Sequence, residues 1–203
     1  MKEAPAFTYI GLDCLGPLYV RSTSEKDRKV WLCLFTCCIT RAVHFKVVPN
    51  LTATAFLRCF RRYIACRSMP SFVISDNAKT VKGDPSAIRH FTQKRIRWSY
   101  ILEKAPWWEG FYERLVKSLK SSLKKTIGWA ELTQDELVTV IAEAEMILNC
   151  RPISYVSFED VEEPLTPAHL IIGGRISAFP EVDSPVDEDF GISQNDVRRR
   201  ETP

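Results

Sequence analysis

Three successive runs in the first 48 residues, AFTYIGLDCLGPLYV (6–20), KVWLCLFTCCI (29–39) and AVHFKVV (42–48), are rich in β-branched and aromatic residues. Such runs in a row predict three consecutive strands. The next stretch, LTATAFLRCFRRYIACR (51–67), has Thr52 as a candidate N-cap and Phe56, Phe60, Tyr63 and Ile64 at helical spacing. With Arg58, Arg61, Arg62 and Arg67 supplying charge, it reads as an amphipathic helix. SFVIS (71–75) is a short buried strand ended by DNAK; SAIRHFTQKR (86–95) is helical and IRWSYIL (96–102) a strand. KAPWWEGFYERLVKSLKSSLKK (104–125) then forms a charged helix, and TQDELVTVIAEAEMILN (133–149) opens on a Thr133/Glu136 capping box and stops at CRPISY.

Three strands, a helix, a strand, a helix, a strand and then helices is the order of a ribonuclease H-like α/β fold, a five-stranded mixed sheet flanked by helices. At 203 residues and 45% hydrophobic, the chain suffices for one core with an appendage. Residues 1–176 are the expected core. Residues 177–203 are an acidic tail, polar and Pro-containing from 181, with the composition of a disordered segment. The net charge of +3 conceals an asymmetry: residues 1–157 carry 24 Lys and Arg against 14 Asp and Glu, whereas 158–203 carry 4 against 11. A basic body suits a nucleic-acid partner.

The seven cysteines, Cys14, Cys33, Cys37, Cys38, Cys59, Cys66 and Cys150, are odd in number, include no C-x-x-C pair and lie mostly in apolar runs. Reduced, buried thiols of an intracellular protein are expected. His44, His90 and His169 are isolated, so no structural zinc site is expected. No apolar run reaches the roughly 18 residues of a membrane span and no signal peptide is visible, so a soluble chain made in the cytosol is expected, with no membrane partner.

The charged helix raises a question of its own. Glu113, Lys117, Lys120 and Lys124 share one sector, while Leu115, Leu119 and Leu123 lie on another. One reading is a solvated face in which Glu113 and Lys117 form an i, i+4 pair. The other is that the lysines follow phosphates while the carboxylate binds a cation, which requires further carboxylates from elsewhere. In the expected fold the ends of the first and fourth strands lie side by side under a later helix. Asp13 closes the first predicted strand, Asp76 follows the fourth, and Glu113 opens the helix.

Six blocks carry a family resemblance: YIGLDCLGPLYV, FTCCITRAVHFKVV, TATAFLRCFRRYIACRSMPSFVISDNAKT, APWWEGFYERLVKSLKSSLKK, EAEMILNCRPIS and PLTPAHLIIGGR. In this order they resemble the integrase catalytic core of Pao/BEL-type LTR retrotransposons, within the retroviral-type integrase superfamily, over about residues 6–176. The resemblance implies a metal-dependent polynucleotidyl transferase, an enzyme of DNA 3′-end processing and strand transfer. Its two-aspartate, one-glutamate site falls on Asp13, Asp76 and Glu113, as catalytic residues and as ligands of two Mg²⁺ or Mn²⁺ ions. The second and third are separated by 36 residues, close to the family spacing. It further implies DNA as partner, through Lys117, Lys120, Lys124 and, beside the site, Asn77. A homodimer or higher oligomer using helix 133–149 and a nuclear location are also implied.

The chemistry accounts for the carboxylates. Cutting or joining a phosphodiester needs a water or a 3′-hydroxyl to attack phosphorus in line, with charge developing on the leaving oxygen. Hard cations held by a few carboxylate oxygens keep positions open for phosphate and water. His44 is expected to be a packed core histidine; Trp107 and Trp108 either stack on bases or pack. Two features depart from the family: Glu109-Gly110 stands where such integrases read Gly-Gly, and no His/His/Cys/Cys module precedes Asp13. They support an alternative expectation, a domesticated and catalytically weak core serving as a nucleic-acid-binding or protein-interaction module.

Overall fold

The apolar runs assemble into one sheet. The computed structural model describes residues 4–21, 27–75, 96–100, 132–154 and 164–174, together with helical residues 117, 121 and 125. The strands are β1 (Tyr9–Val20), β2 (Arg28–Cys37), β3 (Val43–Val48), β4 (Phe72–Ser75) and β5 (Arg97–Tyr100), in the order β3-β2-β1-β4-β5. β1 pairs antiparallel with β2, and β2 with β3; β1 pairs parallel with β4, and β4 with β5. The helices are α1 (Ala53–Arg67), α2 (Gln134–Asn149) and α3 (Pro167–Ile172). The predicted helix at 86–95, all of 104–125 except those three helical positions, and residues 175–203 lie outside the described residues.

Local chemistry explains where the helices begin. Thr52 accepts from the Ala55 N–H, and Thr133 exchanges bonds with Glu136 in the expected capping box. Each satisfies backbone donors that the first helical turn leaves open. Thr166 caps α3 in the same way, with Pro167 in its first turn and Gly173 at φ +78° ending it.

Side-chain alternation along the strands gives the sheet two different faces. On one face Ile10, Leu12, Cys33, Phe35 and Val73 meet Phe56, Cys59, Phe60 and Tyr63 of α1. Phe35 stacks on Tyr63 with ring centroids 4.2 Å apart, and Trp98 of β5 meets Phe56 edge-on. On the other face Val20, Val30, Leu32, Leu34, Val43 and Phe45 bury Leu137 and Ile141 of α2.

The edge strand β3 is closed by side chains of α2. The Val43 N–H donates to Asn149 Oδ1 at 2.8 Å, and Asn149 Nδ2 returns a bond to the Val43 carbonyl at 3.0 Å. One helical turn earlier, Glu145 Oε2 accepts from the Phe45 N–H at 2.9 Å. Four helical residues rise about 6 Å and two strand residues about 6.6 Å. Glu145 and Asn149 therefore meet the outward-facing backbone of β3 in step, as a further strand would.

The candidate active site

Asp13 directly follows the stretch of β1 that pairs with both β2 and β4. Among the described residues the parallel register runs Tyr9↔Phe72, Ile10↔Val73, Gly11↔Ile74 and Leu12↔Ser75, and antiparallel pairing with β2 continues through Asp13↔Leu34 to Val20↔Arg28. Asp13 does not close the first strand as the sequence led us to expect. β1 extends seven residues beyond it because β2 supplies backbone partners, with a register shift between Leu15 and Leu18. Gly16 sits in that shift at φ +130°, where a Cβ would come within 3.1 Å of Trp31 Cδ1 and 3.2 Å of the Val30 carbonyl; glycine fits both the backbone angle and the space.

The flanking residues fix the direction of the Asp13 side chain. Leu12 and Cys14 pack on the α1 face, while Leu34, directly opposite Asp13, packs under α2, so the carboxylate belongs to the α2 face. It is half-buried, and Oδ1 accepts from the Cys14 N–H at 2.7 Å. Ser75, the last residue of β4, is fully buried and its Oγ accepts from Trp98 Nε1 at 2.9 Å. That bond ties the end of β4 to β5 immediately before Asp76 in the chain. Open ends of parallel strands at a change of partner are where α/β sheets bind ligands.

Asp76, Asn77, Glu113, Lys120 and Lys124 lie outside the described residues, as do Trp107, Trp108 and Glu109. Lys117 is helical and exposed, as is Lys125, which the sequence did not single out although it lies two turns further along. Among the described residues no group of three His, Cys, Asp or Glu could hold a metal ion. Asp13 contributes a hard carboxylate oxygen of the kind Mg²⁺ takes.

A second polar centre lies at the β3 edge. Glu145 Oε1 accepts from His44 Nδ1 at 2.8 Å and from the Arg67 guanidinium at 2.7 Å. Because a carboxylate only accepts, the His44 proton on this side is on Nδ1. His44 is packed, as the sequence suggested, and its Nε2 is buried with no hydrogen-bond partner among the described residues. Burial alone pushes the Glu145 carboxyl up, but the bonds from His44, the Phe45 N–H and Arg67 outweigh it and hold the group below the ordinary glutamate range. Beside this cluster is a groove of about 680 Å³ lined by Lys46, Arg62, Arg67, Val138, Ala142 and Met146 among others. It is at the sheet edge formed by β3, two strands away from β1.

No protein-family model matches the sequence, and no curated protein does. Solved structures do resemble it. An intasome of simian T-cell lymphotropic virus, in complex with PP2A regulatory subunit B56 gamma, matches at TM-score 0.60 and 16% identity over 91% of this chain. The chain spans 61% of the length of that relative. The HTLV-2 integrase catalytic core domain in complex with magnesium, in its trimeric form, matches at TM-score 0.56 and 16% identity, covering 82% of this chain and 97% of that one. The BIV integrase catalytic core domain matches at 0.56 and 17%, covering 82% and 95%. The chain has the fold of these cores, and the expected ribonuclease H-like architecture is the one found.

Proposed function

We propose that this chain is the catalytic core of a retroelement integrase of the Pao/BEL type, a polynucleotidyl transferase that trims DNA 3′ ends and joins them to target DNA. The observation that carries the reading is the parallel pairing of Leu12 with Ser75. The residue that follows each of them in the sequence is an aspartate, Asp13 and Asp76. Two carboxylates brought together there would repel each other unless a cation lay between them, an arrangement of use to a metal site and of little use to a core. The HTLV-2 core of the same fold is a complex with magnesium.

In this reading Asp13, Asp76 and Glu113 would hold two Mg²⁺ or Mn²⁺ ions, and hard oxygen ligands suit both cations. Bound there, they would supply activation of the attacking oxygen and stabilisation of the leaving one. The protein's own part is positional. The Trp98–Ser75 bond fixes the strand end that leads into Asp76, and the Cys14 N–H orients the Asp13 carboxylate. Lys117, Lys120 and Lys124 neutralise backbone phosphates, a contribution blind to sequence and weakened by salt. Asn77 steadies the substrate or a carboxylate. The nucleus is the proposed site of action.

A second copy of the chain is the proposed occupant of the groove beside α2. Val138, Ala142 and Met146 lie one turn apart along its wall, and Val138 is 46% exposed. One HTLV-2 core of this fold is described in a dimeric form. Light scattering of Val138→Glu should show loss of a dimer present in the wild type; a wild-type monomer at high concentration would contradict it.

The test of the activity is the amide series Asp13→Asn, Asp76→Asn and Glu113→Gln, which keeps side-chain size and removes charge. Each should abolish Mg²⁺- or Mn²⁺-dependent strand cleavage and joining with an unchanged melting temperature. Activity retained in any one would remove that residue from the site. Glu109, negative where the family has glycine, supports the alternative of a domesticated DNA-binding or interaction module. Wild-type DNA binding without any cleavage would favour that reading.

A further inference from the structure

Cys14 and Cys33 face each other across β1 and β2 as a register pair, with their sulfurs 3.7 Å apart. Directly paired antiparallel residues have Cα atoms about 4.5 or 5.5 Å apart. Both values fall inside the window of about 4.4–6.8 Å that a disulfide spans. Side-chain rotation thus has to close the sulfurs from 3.7 Å to about 2.05 Å without moving the strands apart.

The other cysteines are placed differently. Cys37 is buried, and its sulfur accepts from the Phe7 and Thr40 N–H groups at 3.1 and 3.4 Å, a structural use. Cys59 is fully buried on α1. Cys66 is exposed beside Lys46 Nζ at 3.6 Å. Only the Cys14–Cys33 pair, among the described residues, joins one partly accessible thiol to one fully buried neighbour in bonding register. Cys14 is the partly accessible member of the pair and Cys33 the buried one, so an oxidant meets Cys14 first.

We propose that Cys14 and Cys33 are a redox-active thiol pair, a modification site at which a peroxide forms a β1–β2 cross-strand disulfide one residue from Asp13. The Cys14 sulfur attacks one peroxide oxygen and the O–O bond breaks, giving the sulfenic acid and water from hydrogen peroxide. The Cys33 sulfur then attacks the Cys14 sulfur, the S–O bond breaks, and the hydroxide released takes the Cys33 proton and leaves as a second water. Two electrons pass from the thiol pair to the peroxide. Because the Cys14 N–H holds Asp13 Oδ1 at 2.7 Å, the new bond acts on the residue that orients this carboxylate. That consequence rests on the proposed function; the disulfide does not.

The experiment treats the full chain with hydrogen peroxide, alkylates the remaining thiols and maps peptides by mass spectrometry. The expected result is a linked pair containing Cys14 and Cys33, two hydrogens lighter than its parts and released by dithiothreitol, with Cys59 still alkylated. Cys33→Ala should leave Cys14 as a sulfenic acid trapped by dimedone. Cys14→Ser, at a half-buried position, should give no link and serves if the first variant does not fold. Peroxide oxidation of Cys66 and Cys14 with Cys33 alkylated throughout would overturn the proposal. In a second arm the oxidised protein should bind Mn²⁺ about tenfold more weakly, the lower end for disturbing a ligand's outer partner, with recovery on reduction. Equal affinity would overturn the coupling to Asp13. A reduced protein that binds no Mn²⁺ would count against the proposed function, while the mass map still decides the disulfide.

Discussion

The two faces of the sheet are held by different physics. Between the sheet and α1 lie stacked, tilted and edge-on rings, Phe35 and Trp98 from the strands and Phe56, Phe60 and Tyr63 from α1, with Phe35 and Tyr63 excluded from water. Against α2 the core is aliphatic, and its margin is joined by directed bonds from Glu145 and Asn149 to the β3 backbone. Burial without direction tolerates small shifts, whereas bonds to an edge strand fix register. Asp13 opens onto the α2 face, and the face that carries the proposed chemistry is the one whose register is fixed.

The comparison breaks most visibly on the aromatic side. Tyr63→Ala removes a buried ring in contact with Phe7, Phe35, Phe60 and His44 and should cost about 3–5 kcal/mol by denaturant unfolding. A cost under about 1 kcal/mol would show that the stack carries little of the fold. Glu145→Ala comes next. It leaves His44 and the Phe45 N–H without their acceptor and releases Arg67, and about 2–3 kcal/mol is expected, reduced because Glu145 and Arg67 keep some contact with water.

The same carboxylate sharpens the comparison through pH. Its folded value is depressed, so its contribution is complete above the unfolded glutamate value of about 4.3 and is lost as pH falls through the lower folded value. Wild type should lose stability over that acid range more steeply than Glu145→Gln. Identical slopes would mean that the Glu145 bonds do not stabilise the fold. Asn149→Ala should cost about 1–3 kcal/mol by leaving the Val43 N–H and carbonyl without partners at a buried position. Thr52→Ala, the loss of a single helix cap, is the smallest effect, about 1 kcal/mol.

Much of this architecture is legible in the sequence because its cause is local. Strand runs, Thr52 and the Thr133/Glu136 box depend on residues within a few positions of one another, and each has the predicted structure. What was not legible depends on partners far along the chain. Asp13 was read as the close of the first strand; pairing with β2 carries the strand on to Val20. Glu145 and Asn149 sit in a helix without any local mark, and their value comes from matching β3 a hundred residues earlier. Burial of the cysteines was partly misread for the same reason: Cys33, Cys37 and Cys59 are buried, but Cys66 ends on the exposed side of α1. In the candidate site, the two aspartates were recognisable as residues following apolar runs. Only register shows that Leu12 and Ser75, their immediate predecessors, are paired.

If Asp13, Asp76 and Glu113 hold catalytic cations as proposed, calorimetric titration of the reduced chain with Mn²⁺ will show it. Wild type should bind with saturable heat, and Asp13→Asn should lose that binding while melting at the wild-type temperature. Saturable binding of equal affinity in both proteins, or none in either, would contradict the account.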